Sequence, residues 1–209
     1  MPNADPIEVL SVDDHPLFRE GIGAIINCQP DMSLVGTASS GTEAIESYRR
    51  LQPDITLMDL RLPDLSGIDA MIGIRAEFPD ARVIVLTTFE RDVEVQRALK
   101  AGARGYLLKS SPPKQMLETI RQVHAGKKVV APEIAAGLAE HVADEPLSER
   151  EVEVLRYVAA GNRNREIGER LFIAEETVKV HLKHIMNKLG ASDRTQSVAI
   201  AAKRGIIQL

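Results

Sequence analysis

Charged side chains follow three strand-like runs in the first half of the chain. The pair Asp13 and Asp14 comes directly after IEVLSV, Asp59 follows ITLM, and Lys109 follows GYLL. Because ligands bind at the carboxyl edge of an open parallel sheet, we expect these side chains to share one crevice. Three carboxylates held together there need a cation among them, and oxygen ligands of this kind suit Mg²⁺ with phosphate oxygens. The sequence therefore predicts a site that handles a phosphoryl group.

The elements that must position these residues alternate over residues 1–126. The strand-like runs are rich in Val, Ile and Leu, as expected for strands buried on both faces, and span residues 7–12, 33–38, 55–59, 82–87 and 105–109. Between them, apolar residues recur at three- and four-residue intervals in the segments 16–26, 41–51, 68–78, 92–101 and 112–126. Five strands, each followed by a helix, predict a doubly wound (βα)5 α/β domain with a parallel sheet.

No strand pattern is present in the second part of the chain. Residues 127–146 lose the alternation and are interpreted as a linker with a short helix around 133–142. Residues 147–209 then predict an all-α domain of four helices. Ser148, with Glu151 three residues later, is typical of a capping box at the first of these helices. Gly161 is a typical end for that helix.

Composition separates these two parts by charge. The net charge is −7 over residues 1–146 and +3 over residues 147–209, which indicates that the second part contacts polyanions. The single Cys28 excludes an internal disulfide and fits a reducing compartment. We find neither a secretory signal at the N-terminus nor an apolar run of about 18 residues, so we expect a cytoplasmic protein without a membrane segment.

Six residues lie in order at or near strand ends of the first domain: Asp13, Asp14, Asp59, Thr87, Tyr106 and Lys109. With these residues, the first domain resembles the receiver domain of two-component response regulators. The resemblance implies that Asp59 accepts a phosphoryl group from a sensor histidine kinase. It also implies that Asp13, Asp14, Asp59 and the backbone carbonyl of Arg61 hold Mg²⁺.

The same resemblance implies roles for the remaining residues. Lys109 would place a second positive charge on the phosphoryl oxygens, and the Thr87 hydroxyl would turn toward the new phosphate. Tyr106 would then move inward as a switch, into the space that Thr87 leaves. We therefore expect a phosphoryl acceptor with self-catalysed phosphorylation and dephosphorylation, and not an enzyme in the ordinary sense.

The segments LSEREVEVL, NREIGERL, ETVKVHLKHIMNKLG and DRTQSV characterise residues 147–209. With them, this domain resembles the LuxR-type helix-turn-helix output domain of the NarL/FixJ group of response regulators. In a helix-turn-helix, the second helix enters the major groove of DNA. The resemblance implies that Lys179, Val180 and Lys183 read bases, with His181 on the same outward face. Phosphate contacts are expected from Lys188, Arg163, Arg165 and Arg194.

Two residues depart from the pattern of that family. Ala174 stands where a serine N-cap is common, and Gly168 stands where alanine is usual. Because glycine in a helix interior costs about 0.8–1 kcal/mol relative to alanine, the sequence predicts that Gly168→Ala raises the melting temperature.

The leading hypothesis is a DNA-binding regulator controlled by Mg²⁺-dependent phosphorylation of Asp59. We expect a homodimer on palindromic promoter DNA when it is phosphorylated, formed through receiver surfaces or the last helix. A phosphorylation-independent regulator is the main alternative, although Asp13, Asp14, Asp59, Thr87 and Lys109 are all intact. An aspartyl-phosphate phosphatase of the haloacid-dehalogenase kind would need an acid at the position of Arg61, and a small-molecule sensor fits poorly with 3% aromatic residues.

Overall fold

A computed structural model describes residues 5–88, 92–132, 134–135 and 145–207, and these residues form two compact units. Within those ranges, every helix is too short or too polar to cross a lipid bilayer.

The first unit is built on a parallel sheet of six strands. The strands are β1 (Ile7–Val12), β2 (Met32–Ala38), β3 (Ile55–Asp59), β4 (Val83–Thr87), β5 (Gly105–Leu108) and β6 (Val129–Val130). Their order across the sheet is β2-β1-β3-β4-β5-β6, with every neighbouring pair parallel. The strand order therefore reverses between β1 and β3, and a crevice opens at such a switch point beyond the carboxyl ends of the strands.

Five helices alternate with the strands, as the apolar periodicity predicts. They are α1 (Pro16–Asn27), α2 (Gly41–Leu51), α3 (Gly67–Glu77), α4 (Asp92–Lys100) and α5 (Pro113–His124). Ser40 and Ser66 cap α2 and α3, because each side chain accepts a hydrogen bond from a backbone N–H of the first turn. Every residue of β3 and β4 is buried, which explains why their sequences are apolar without alternation. The predicted doubly wound α/β fold is confirmed.

The sixth strand lies inside the segment that the sequence predicts to be a linker. Val129 N–H donates to the Arg104 carbonyl at 2.9 Å, and Ala131 N–H donates to the Tyr106 carbonyl at 3.1 Å. Ile134 is buried against this unit, which ends at Ala135. Two residues are too few to show a strand period, and backbone pairing with β5 decides their structure. Of the helix expected around residues 133–142, only residues 134 and 135 lie within the described ranges, and both are helical.

Within residues 145–207, the described part of the second unit, four helices surround one apolar core. They are α6 (Glu149–Ala159), α7 (Asn164–Leu171), α8 (Glu175–Leu189) and α9 (Arg194–Lys203). The capping box of Ser148 and Glu151 at the start of α6 is present, and Gly161 follows the end of that helix at a φ of +83°. The core residues of α8 are Val178, Leu182, Ile185 and Leu189, and Met186 is half-buried. The predicted apolar stripe therefore faces the core.

We expect Gly67→Ala to lower the free energy of unfolding of the first unit by about 2 kcal/mol. A Cβ at Gly67 would lie 1.9 Å from the backbone carbonyl oxygen of Asp59, so α3 or β3 would have to shift. The matched control is Gly21→Ala in the exposed interior of α1, where a Cβ meets nothing within 4 Å. The free energy of unfolding of that variant should rise by up to about 1 kcal/mol, because alanine has the higher helix propensity. Urea unfolding followed by circular dichroism measures both, and equal effects would contradict the packing argument.

The structure reverses the expectation for Gly168. A Cβ there would lie 2.7 Å from the carbonyl oxygen of Ile173, in the turn that follows α7. Ile173 N–H also donates to the Gly168 carbonyl at 3.0 Å, so the turn packs directly on this residue. We therefore expect Gly168→Ala to lower the melting temperature, because the steric cost exceeds the gain in helix propensity of about 1 kcal/mol. A rise in the melting temperature of residues 145–207 within the full chain would refute this.

Candidate functional sites

Four potential ligand groups meet at the carboxyl ends of β1 and β3. Asp13, Asp14, His15 and Asp59 each offer one ligand atom, and these atoms all lie within 4.8 Å of one another. Asp13 and Asp59 are buried, whereas Asp14 is exposed. The structure thus places the three predicted carboxylates together, at the switch point of the sheet. Because the exposed Asp14 leaves one side of the cluster open to solvent, these carboxylate oxygens fit a divalent cation that retains several waters.

Lys109 provides a buried positive charge in this crevice. Its side chain is mostly buried, and Nζ lies 2.8 Å from Asp59 Oδ2 and 2.6 Å from Asp13 Oδ2. The contact with Asp59 is a hydrogen bond, whereas the contact with Asp13 is an ion pair without hydrogen-bond geometry. The ammonium also lies 5.0 Å from the centre of the Phe18 ring. One lysine therefore compensates two buried carboxylates.

Burial dominates the electrostatics of Asp59. Loss of solvation raises the pKa of the Asp59 carboxyl above its ordinary value, and the nearby Asp13 acts in the same direction. Hydrogen bonds from Lys109 and from the backbone N–H of Arg61 act in the opposite direction. The carboxylate is consequently held in a position where additional positive charge stabilises it.

The loop after β3 fixes the orientation of Asp59. Gly67 N–H donates to the Leu60 carbonyl, which places the start of α3 against the end of β3. Asp64 accepts hydrogen bonds from the backbone N–H groups of Gly41 at 2.8 Å and Thr42 at 3.0 Å. Hydrogen bonds from Thr42 hold the pKa of Asp64 well below its usual range. The carboxylate of Asp64 therefore ties the loop that carries Arg61 to the first turn of α2.

Thr87 and Tyr106 occupy neighbouring strands beside the site. Thr87 ends β4 and is buried, and its carbonyl accepts from the Lys109 N–H. Tyr106 lies in β5 and is fully buried. The resemblance implies that Tyr106 moves inward when the site is phosphorylated, whereas this structure already holds the side chain in a buried position.

His15 and Arg19 are part of the site although the sequence analysis does not select them. His15 Nδ1 lies 3.0 Å from Asp13 Oδ1 and 2.6 Å from Asp14 Oδ1. The Arg19 guanidinium donates to the backbone carbonyl of Asp13. Both residues lie at the start of α1, directly after β1, and this position is the signal that could have identified them.

The exposed face of α8 carries the predicted base readers. Lys179, Val180 and Lys183 are exposed, and His181 is half-buried. Phe172, in the turn before this helix, is 95% exposed and adopts a left-handed φ of +54°. Ala174 precedes α8 and provides no side-chain cap, as the sequence predicts. The arrangement can present an exposed helix face to a groove of DNA.

The predicted phosphate contacts divide into two groups. Arg163, Arg165 and Arg194 are exposed on or beside α7 and α9, where Arg165 pairs with Glu169 and Arg194 donates to the Asn162 carbonyl. Lys188 instead lies 3.0 Å from the buried Glu151 and 3.0 Å from Glu145, with its side chain only 17% exposed. Lys188 therefore forms an ion pair that compensates the buried Glu151, and its contact with phosphate stays a prediction.

Comparisons with known proteins identify the family of each unit. Residues 9–121 match the family described as response regulator receiver domain, and residues 145–201 match the bacterial regulatory proteins of the luxR family. The uncharacterized transcriptional regulatory protein YxjL of Bacillus subtilis is 39% identical, over 99% of this chain and 100% of its own length. The response regulator protein VraR of Staphylococcus aureus is also 39% identical, over 97% of this chain and 99% of its own.

The chain belongs to the DNA-binding two-component response regulators. A solved structure of the response regulator RcsB bound to DNA has a TM-score of 0.74 and 26% identity, covering 95% of this chain and 99% of that chain. Another, of the response regulator ChrA from a heme-sensing two-component system, has a TM-score of 0.59 and 33% identity, covering 98% and 100%. In this regulator, the acidic crevice therefore belongs to a receiver domain and α8 to a LuxR-type DNA-binding domain.

In the absence of divalent cations, we expect Asp59→Asn to raise the free energy of unfolding of the response regulator at pH 7. The pKa of Asp59 is higher in the folded protein than its ordinary value of 3.8. Ionisation of this carboxyl therefore lowers the free energy of unfolding as the pH rises above 3.8. The advantage of the variant should therefore shrink as the pH falls toward that value. Urea unfolding in chelator at several pH values measures the difference.

Asp31→Asn is the control of opposite sign. A hydrogen bond from Arg121 lowers the pKa of Asp31, so this carboxylate stabilises the fold above pH 3.8. Its replacement should lower the stability at pH 7. If both variants changed stability in the same direction, the burial of Asp59 would not be the cause.

Proposed function

We propose that a sensor histidine kinase phosphorylates Asp59 in a Mg²⁺-dependent reaction, and that this phosphorylation controls dimerisation and promoter binding. The observation that carries the proposal is the position of the Asp59 carboxylate. It lies at the switch point of the sheet, 2.8 Å from Lys109 Nζ and within a cluster of two further acids. A cytoplasmic location fits a partner kinase that presents its phosphoryl group to the receiver.

Phosphoryl transfer depends mainly on in-line positioning and on neutralised charge. An Asp59 oxygen attacks the phosphorus of a phosphohistidine, the P–N bond breaks, and the electron pair leaves with the imidazole. Lys109 Nζ moves from the free carboxylate toward the phosphoryl oxygens. Asp13, Asp14, Asp59 and the Arg61 carbonyl would hold Mg²⁺, which supplies charge neutralisation at the transferring oxygens. Self-catalysed hydrolysis would use the same groups with water as the nucleophile.

The signal leaves the site through β4 and β5. The Thr87 hydroxyl can donate to an oxygen of the acyl phosphate, and Tyr106 lies on the adjacent strand, buried in the unit. A phosphoryl group adds roughly −1.5 to −2 charges, which is sufficient to bias a two-state element. Because Tyr106 is already buried, phosphorylation in this proposal raises the population of the buried position and does not create it.

A phosphorylation-independent regulator is the second candidate, and the same buried Tyr106 favours it. If the switch were fully inward without phosphate, promoter affinity would be equal in both states. The two candidates are separated by titrating promoter DNA with the unphosphorylated and phosphorylated protein. A lower dissociation constant for the phosphorylated protein, together with its dimerisation in analytical ultracentrifugation, supports control by phosphorylation.

We expect the full chain to gain the mass of one phosphoryl group when it is mixed with acetyl phosphate and Mg²⁺. Uptake should require the metal and should be abolished in Asp59→Asn, because the nucleophile is then absent. Intact mass spectrometry measures the product. The control is Asp80→Asn, an exposed acid away from the site, which should not alter uptake. Phosphorylation that persists in Asp59→Asn would refute the assignment of Asp59.

A further inference from the structure

The exposed face of α8 begins with two acidic residues. Glu175 and Glu176 are the first two residues of the helix, one turn before Lys179. Lys179 Nζ lies 2.6 Å from Glu176 Oε1 and 3.7 Å from Glu175 Oε1. Glu176 is 80% exposed and lies outside the apolar core of the unit. The lysine that is proposed to read a base is therefore paired with an acid in the free protein.

The other lysine of this face differs. Among the residues that the structure describes, no acid lies within ion-pair distance of Lys183. We call the exposed residues Glu175, Glu176, Lys179, Val180 and Lys183 the proposed reading face. Its N-terminal half carries two negative charges and one positive charge, and Lys183 follows without an acidic partner among the described residues. A face that only bound phosphates would not carry acids here, because each acid repels the DNA backbone. Their presence therefore calls for another role, either in base recognition or at the start of the helix.

The geometry of a helix-turn-helix places these residues against base edges. The N-terminal residues of the recognition helix contact the bases in the major groove. Residues three apart on a helix lie on one face with about 5–6 Å between Cβ atoms, whereas base pairs rise about 3.4 Å per step. Glu176 and Lys179 can therefore reach adjacent base pairs.

We propose that Glu176 is a specificity-determining residue that accepts a hydrogen bond from the N4 amino group of a cytosine, next to a guanine read by Lys179. This inference rests on the proposed base-reading role of Lys179. A carboxylate accepts from cytosine N4, and a lysine donates to guanine O6 and N7. When DNA binds, the ion pair between Lys179 and Glu176 breaks. Lys179 then donates to the guanine, and the Glu176 carboxylate accepts from the cytosine amino group.

The same carboxylate acts against other bases. Opposite thymine O4 or guanine O6 it faces another acceptor, and the repulsion excludes those bases. Stabilisation of the helix start is the competing explanation, because acids in a first turn interact favourably with the helix dipole. The two explanations differ in the base preference that follows when the charge is removed.

The test is selection of half-sites from randomised DNA by the full chain, treated with acetyl phosphate and Mg²⁺. Wild type is compared with Glu176→Gln, Lys179→Met and the control Glu169→Gln, which alters an exposed acid on α7. Glutamine pairs with adenine N6 and N7, so Glu176→Gln should replace cytosine by adenine at one position. Discrimination for cytosine should fall about tenfold, which corresponds to the loss of one base contact. Affinity for random DNA should rise a few-fold.

Each outcome decides the inference. An unchanged base pattern in Glu176→Gln, with a changed pattern in Lys179→Met, overturns the role of Glu176 and leaves the proposed reading face intact. An unchanged pattern in Lys179→Met overturns that reading face and the inference with it. A lower melting temperature without a new preference assigns Glu176 to helix stabilisation. A pattern that also changes in Glu169→Gln shows an unspecific charge effect and overturns the inference.

Discussion

The burial of a carboxylate beside a second carboxylate is the constraint on which the receiver unit depends. Asp13 and Asp59 are both almost inaccessible to water, and Lys109 is the cation that contacts both. An unpaired buried charge is costly, and Lys109 and the Arg61 N–H offset that cost at Asp59, while close packing of Gly67 holds the backbone of Asp59 in place. The same cost would make the site responsive, because a bound cation or a transferred phosphoryl group would change the charges that hold Lys109 in place.

A buried acid organises the second unit in a comparable way. Glu151 closes the capping box at the start of α6 and contacts Lys188 near the end of α8. Burial acts to raise the pKa of Glu151, but hydrogen bonds from Ser148 and Lys188 lower it on balance. The carboxylate therefore stays charged at neutral pH and fixes α8 relative to α6. In the free protein, Lys188 therefore stabilises the packing of α8 on α6 through its ion pair with Glu151.

The sequence predicts the fold well where a period or a strand end carries the information. Five strands, the helices between them and the placement of Asp13, Asp59 and Lys109 all follow from apolar runs that end in charged residues. The sixth strand has two residues and no period, so only pairing with β5 defines it. At Gly168 and Lys188 the structure adds contacts that the sequence does not indicate, because helix propensity and charge are local properties. The Ile173 carbonyl that blocks a Cβ and the Glu151 that captures a lysine belong to tertiary structure.

The modest charge of the DNA-binding unit connects its specificity with its control. Non-specific affinity grows with the number of phosphates neutralised, and residues 147–209 carry a net charge of only +3, with acids on the proposed reading face. One copy should therefore bind DNA weakly and depend on base contacts for what affinity it has. Joining two copies makes the second binding event intramolecular and raises the overall affinity without any new contact. A weakly basic, selective helix is thus the kind of output that a phosphorylation-driven dimer can switch, whereas a strongly basic one would remain bound in either state.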